Sequence, residues 1–316
     1  MAEATLVQQQ RRGRISLWAR FNNSRNLLGA FFMVPAAAIL LTFLAYPLGL
    51  GVWLGMTDVK IGRPGQFVGL GNLTWLFDDH VFWLSVFNTF LYTVVASIIK
   101  FALGLWLALI LDRLISFKAM LRAVVLLPFI VPTVLSAIAF WWIYDAQDSP
   151  LSTILKDLGL ITTNIDFLGD PENARASVIA ANIWRGIPFV AITLLAGLQT
   201  IPKSLYEAAI IDGASAWQQF RFITYPLLTP IIAVVMTFSV LFTFTDFQLI
   251  WVMTRGGPFN ATHLMATLAY QRAIVGGSLG EGAAIAVAMM PFLVAAILFS
   301  YFGLQRRKWQ QGGGDD

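Results

Sequence analysis

Apolar runs set the pattern of this chain. Residues 28–56, 84–111, 123–144, 178–199, 228–254 and 282–304 form six stretches in which charged side chains are sparse. Each is long enough for a helix across a hydrocarbon layer about 30 Å thick, which takes about 20 residues. The pattern predicts six membrane-spanning helices and leaves no room for a seventh. The first stretch is too long for a signal-peptide core and lacks a small-residue cleavage site at its end, so it reads as a retained span. The chain then divides into a basic start (1–26), a six-helix body (27–305, including a polar loop at about 200–226) and a tail (306–316) with a flexible glycine-rich end. The polar connections at 57–83, 145–177 and 255–281 are long. Loops of that length carry function or their own structure, or form a solvated cap over the helices.

Composition agrees with the pattern. Of 316 residues, 58% are hydrophobic and 12% charged, whereas soluble domains are about half apolar and a quarter charged. Soluble, disordered and disulfide-scaffold classes are excluded. With no Cys, neither a disulfide framework nor a Cys-ligated metal site is available. The net charge of +4 bears on orientation rather than on nucleic acid. The termini, the loop at 112–122 and the loop at 200–227 share one side and hold thirteen cations, the opposite loops six. That asymmetry predicts cytoplasmic termini. Arg11, Arg12, Arg14, Arg20 and Arg25 suit an interfacial segment on anionic lipid.

Catalytic chemistry is sparse. The two histidines, His80 and His263, fall in outer loops and read as solvated. No metalloprotease, nucleophile-elbow or phosphate-loop pattern occurs, so no catalytic or metal site is assigned. The chain reads as a non-enzyme that takes its energy from a gradient or from a partner.

The loop at 200–226 has local helix signals. Ser204 with Glu207 reads as a capping box. Leu205, Ala208, Ala209 and Asp212 follow at helical spacing, and Gly213 suits a helix stop. A second short helix is expected over 215–223, ended by Pro226. On these residues alone, an amphipathic segment lying on the membrane is an open alternative.

Two of the remaining cations and one acid lie at membrane depth, where ionisable groups are costly and tend to mark function. These are Lys100, Arg185 and Asp246. Asp246 sits with Thr243, Thr245 and Gln248 beside Phe242, Phe244, Phe247 and Trp251. Hydroxyls and amides among rings suit a sugar, with hydrogen bonds to its hydroxyls and stacking on its C–H faces. Alternatively Asp246 neutralises Lys100 or Arg185 within the bundle. Two cations against one acid would suit an anionic sugar or polyol.

Glu207-Ala208-Ala209-x-x-Asp212-Gly213-Ala214, followed by Phe220, Ile223 and Pro226, resembles the EAA loop of bacterial ABC-importer permeases. Further matches are Pro35, Tyr46-Pro47, Phe67 to Asn72, Asn88-Thr89, Leu127-Pro128, Pro132, Trp184, Pro188-Phe189, Leu198 and Ile201-Pro202. Thr254-Arg255-Gly256-Gly257-Pro258-Phe259-Asn260-Ala261-Thr262 is similar to a stretch of carbohydrate permeases of the maltose and glycerol-3-phosphate type, with Arg255 where Gly is common. The resemblance implies an all-α inner-membrane protein with the type I permease fold and six transmembrane helices. It further implies a cytoplasmic coupling helix built from Glu207, Ala208, Ala209, Asp212, Gly213 and Ala214, and an outer loop motif of Gly256, Gly257, Pro258 and Thr262. The substrate path is expected at Thr243, Thr245, Asp246, Gln248, Trp251, Lys100 and Arg185. The implied partners are a second related permease, an ABC ATPase dimer carrying the ATP and Mg, and an extracytoplasmic sugar-binding protein. An ion-gradient transporter with Asp246, Lys100 and Arg185 as a relay is the competing reading.

Overall fold

The computed structural model describes residues 24–113 and 117–310. Arg11, Arg12, Arg14 and Arg20 of the basic start and the glycine-rich end of the tail lie outside the described residues. The described chain is helical, with two isolated antiparallel bridges, Thr57 to Phe67 and Lys60 to Arg63. The first span forms a compact unit to Trp53, and the remainder from Leu54 forms a second. The first contains α1 (Arg25–Leu40), a π turn (Leu41–Ala45) and most of α2 (Tyr46–Gly55). The second contains α3 (Gly71–Asp78), α4 (His80–Arg113), α5 (Lys118–Ile130), α6 (Thr133–Ile143), α7 (Pro150–Asp157), α8 (Pro171–Leu198), α9 (Lys203–Ile211) and α10 (Ala216–Gln219). A π turn (Phe220–Thr224) follows, then α11 (Tyr225–Phe244), α12 (Gln248–Met253), α13 (Met265–Tyr270), a further π turn (Gln271–Val275) and α14 (Leu279–Gln310).

Among the described residues, five helical stretches are long and apolar enough to cross a membrane by themselves, and a sixth arises if a bent pair counts as one span. That pair corrects the expectation of a continuous third span. α5 and α6 meet at 86° across Val131 and Pro132. Pro132 forces Val131 out of the helical region, to φ −61° and ψ 129°.

Two tyrosine–proline pairs share one solution. Proline lacks the N–H for the fourth residue back, and its ring collides with that carbonyl. At Tyr46-Pro47 and Tyr225-Pro226 the preceding turn is widened, and the tyrosine N–H bonds five residues back, to Leu41 O and Phe220 O. The break expected at Pro226 therefore does not occur. The helix continues from Ala216 through the π turn into α11.

α4, α8 and α11 build the inner core around Ala108, Val190, Leu194, Leu195, Leu228 and Val235. Gly104 lets α4 approach α8 closely, since a Cβ there would press into Val190. The buried face of α4 is polar or small, with Ser85, Asn88, Thr89, Tyr92, Ala96, Lys100, Gly104 and Ala108 inside, while Trp83, Phe87, Val94, Ile98 and Trp106 face outward. Lipid is as apolar as leucine, so packing and hydrogen bonding, rather than hydrophobicity, decide which face turns inward.

The long connections at 57–83, 145–177 and 255–281 have their own structure. Asn72 Nδ2 donates to Gly55 O (2.9 Å) and Thr57 O (2.7 Å), and Arg272 pairs with Asp79 at 2.7 Å while lying over the Trp75 ring. Asp170 caps α8 by accepting from the Glu172 and Asn173 N–H groups. His80 is exposed, but His263 is buried at 1% exposure, against the expectation of a solvated ring. Its Nδ1 lies 3.1 Å from Thr267 Oγ1, and only a residue without a Cβ fits against the ring, which is Gly256.

Burial, and secondarily the nearby Arg272 charge, pushes the His263 pKa down to about 4. A depressed histidine stabilises the fold fully above its unfolded pKa, near 6.5, and that contribution is lost as pH falls toward 4. The purified protein should therefore lose thermal stability between pH 7 and 4.5 by up to about 3 kcal/mol, at 1.36 kcal/mol per pKa unit. His263→Gln should flatten this part of the profile in a pH series of melting curves. An unchanged profile in the variant would exclude His263 as the source.

Candidate functional site

Three constellations were marked in the sequence, and the structure places them at separate levels. The first is the elbow between α8 and α11. α9 does not start with the expected Ser204–Glu207 capping box. Pro202 is the N-cap, at φ −60°, without a side-chain cap. Its fixed φ starts the helix one residue before Ser204, which leaves that hydroxyl inside the first turn. The capping box is at α10 instead, where Ser215 and Gln218 satisfy each other's backbone N–H groups.

The stop at Gly213 is as expected. Gly213 has φ +77°, its N–H bonds Ile210 O, and the Ala214 N–H bonds Ala209 O, which is a Schellman ending. Glu207, Ala208, Asp212 and Gly213 are exposed, and Ala209 and Ala214 half-buried. Beside them Ile210, Ile211 and Trp217 are 63%, 86% and 68% exposed. An exposed apolar patch of this kind, framed by acids, has the character of a contact surface.

The second constellation is at membrane depth. Lys100 Nζ donates to Asn182 Oδ1 (2.9 Å) and Thr243 Oγ1 (2.6 Å). Asn182 Nδ2 in turn donates to Asp246 Oδ2 (2.9 Å), which also accepts from the Tyr92 hydroxyl (2.7 Å). Asp246 thus makes no direct ion pair with Lys100 or Arg185. Asn182 joins the cation and the acid, with its oxygen toward the first and its nitrogen toward the second. Lys100 is 3% exposed, Asn182 7% and Thr243 1%. The carboxylate sits where the fifth span is interrupted between α11 and α12, and its other oxygen faces the Leu249 N–H at 3.4 Å.

This network borders a cavity of about 530 Å³ lined by Lys100, Asn182, Arg185, Ser239, Thr243, Thr245, Asp246 and Gln248, with Phe129, Phe189, Phe242 and Phe247 supplying ring faces. The size is that of a small-molecule site. Arg185 Nε is buried without a hydrogen-bond partner. Trp251 does not line the cavity; it stacks on Phe247 and meets Tyr270 edge-on. Asn182, Tyr92 and Ser239 were not singled out from the sequence. The available signal was spacing: Asn182 precedes Arg185 by one turn, and Tyr92 and Lys100 lie two turns apart on the polar stripe of α4.

The third constellation is the loop after α12, at the far end of the fifth span from the elbow. Thr262 Oγ1 donates to Gly257 O (2.7 Å) and pairs with Thr254 Oγ1 (2.7 Å). Pro258 follows a cis peptide bond, and Arg255 and Gly256 have φ +52° and +88°. The left-handed backbone at 255 is the conformation glycine adopts without cost. Asn88 and Thr89, from the second span, hold this loop. Asn88 Nδ2 donates to Asn260 O and His263 O, and Thr89 Oγ1 accepts from the Met265 N–H. Arg175 on α8 adds bonds to Asn88 Oδ1 and Ala261 O. Two stretches far apart in the chain thus form one docked unit.

Comparison with known proteins gives a consistent result. Residues 100–310 match the family described as binding-protein-dependent transport system inner membrane component. The chain is 36% identical over 261 residues to the trehalose/maltose transport system permease protein MalF of Thermococcus litoralis, covering 82% of this chain and 88% of that one. It is 33% identical to the trehalose permease SugA of Mycobacterium tuberculosis over 87% of this chain and 88% of that one. With the sulfoquinovosyl glycerol permease SmoG of Agrobacterium fabrum the identity is 33%, covering 92% and 94%. Among solved structures, a chain of a bacterial ABC transporter that imports the acidic polysaccharide alginate superposes with a TM-score of 0.78 at 24% identity, over 92% of this chain and 98% of that one.

Proposed function

This chain belongs to the binding-protein-dependent transport system inner membrane components, and from that membership we propose that it lines half of an ATP-driven import path for a sugar or polyol. It is a multi-pass membrane permease, and its energy would come from an ABC ATPase dimer seated on the elbow. A second, related permease would complete the path, and an extracytoplasmic sugar-binding protein would deliver substrate to the opposite face. The elbow would then lie on the cytoplasmic side, with both termini.

The observation that carries this reading is the elbow itself: two short helices around Gly213, exposed at Glu207, Ala208 and Asp212 and joined directly to the fourth and fifth spans. Such a knob can pass an ATPase closure into the membrane as a nearly rigid movement. Thr243, Thr245, Asp246, Gln248, Lys100 and Arg185 would offer hydrogen bonds to substrate hydroxyls, while Phe129, Phe189, Phe242 and Phe247 offer stacking surfaces. Trp251 would support Phe247 rather than touch substrate. The relatives named for trehalose, maltose and sulfoquinovosyl glycerol support a carbohydrate-class substrate.

The test is uptake by proteoliposomes containing the assembled importer. Uptake should require ATP and the ATPase subunits and should survive ionophores. Uptake that persists without ATP and collapses with ionophores would establish the gradient-driven alternative, to which the elbow is irrelevant.

A further inference from the structure

Glu207, Ala208, Asp212 and Gly213 form the exposed edge of the elbow, but a different pair ties the elbow together. Tyr206 Oη and Thr224 Oγ1 lie 2.9 Å apart across eighteen residues. Thr224 is 5% exposed and closes the π turn at the base of α11, where its hydroxyl also faces Gln219 O at 3.5 Å. The Tyr206 ring and Ile223 pack against the inner core that contains Leu198, Ile201 and Leu228. Along the chain α9 leads toward the fifth span through the turn at Gly213, where no other atom lies within 4 Å of a Cβ position.

We infer that Tyr206 is a positioning residue of the coupling step: through Thr224 it fastens α9 to the base of the fifth span, so that a push on the exposed edge moves α11 as well as α8. The inference rests on the proposed docking of the ATPase at this elbow. Neither residue needs to touch the ATPase or the substrate. The joint is placed where a small displacement has leverage. A π turn is one residue away from the regular helix and recurs at functional positions, and the Thr224 hydroxyl is the group that engages it. If the bond is lost, α9 can swing about Gly213 while the fifth span stays still. ATP hydrolysis then continues without transport.

The experiment uses the complete importer in proteoliposomes and reads uptake and ATP hydrolysis together. Tyr206→Phe keeps the ring and its packing and removes only the hydroxyl. It should lower sugar taken up per ATP hydrolysed by about five- to tenfold, the scale of one lost hydrogen bond, with basal hydrolysis within about twofold of wild type. Thr224→Val should do the same, the double variant no more than either alone, and Thr224→Ser should restore the wild-type ratio. A merely structural role would lower uptake and hydrolysis together and leave their ratio unchanged, as would no role at all; an unchanged ratio overturns the inference. Ala208→Cys, crosslinked to the ATPase in the same preparations, separates the joint from the docking. An unchanged ratio with the crosslink intact removes the Tyr206 joint alone, and absence of the crosslink in every preparation removes the docking on which it rests.

Discussion

Asp246→Leu should destabilise the protein by about 3–5 kcal/mol, the cost of stranding a buried charge by removing its partner. Asp246 is the acid at the end of the Lys100–Asn182–Asp246 chain, and without it Lys100 remains 97% buried beside the like charge of Arg185, with no acid to offset it. The Tyr92 hydroxyl loses its acceptor in the same step. In thermal unfolding of the purified importer the midpoint should fall on the order of 10 °C, at a few degrees per kcal/mol for a chain of this size. Lys100→Met alone should be costly for the converse reason. The double variant Lys100→Met/Asp246→Leu should recover the share of the loss that comes from stranding Lys100, while Arg185, whose Nε is buried without a partner, still lacks the acid. Strictly additive single effects would show that Asn182 does not link the two charges energetically.

Gly213→Leu should leave the protein inserted and folded but reduce uptake per ATP by at least about tenfold, the factor that 1.4 kcal/mol of coupling represents. The space around Gly213 is open, so no clash within the chain is expected. The effect has two sources. At φ +77° a leucine backbone is strained by roughly 1–2 kcal/mol, which loosens the Schellman ending, and its side chain projects into the surface where the ATPase would dock. Gly213→Asn separates them, since asparagine tolerates the left-handed conformation and should retain more coupling than leucine. Wild-type coupling in Gly213→Leu would refute the assignment of the elbow.

The fold and the elbow were legible for local reasons. Apolar length decides whether a segment can cross a bilayer, and it is read from neighbouring residues only. The Gly213 stop was visible because a left-handed ending depends on one residue and its adjacent turn. Ser204 does not cap α9 because Pro202 outranks it in fixing where the helix starts, and Pro226 does not end the helix because the chain widens the turn before it instead of breaking.

The sequence by itself determined that this chain lives in the membrane, how many stretches can cross, where the elbow turns, and which family its motifs resemble. Tertiary structure alone decided that Asn182 stands between Lys100 and Asp246, that Asn88 and Arg175 hold the loop at 254–263, that Tyr206 reaches Thr224, and that His263 is buried. The physical reason is distance along the chain. These contacts join residues 18 to 175 positions apart, and which side chains meet depends on how helices pack where hydrophobicity no longer distinguishes inside from outside. A one-dimensional pattern identifies the rods; the polar groups between them are matched only after the rods have come together.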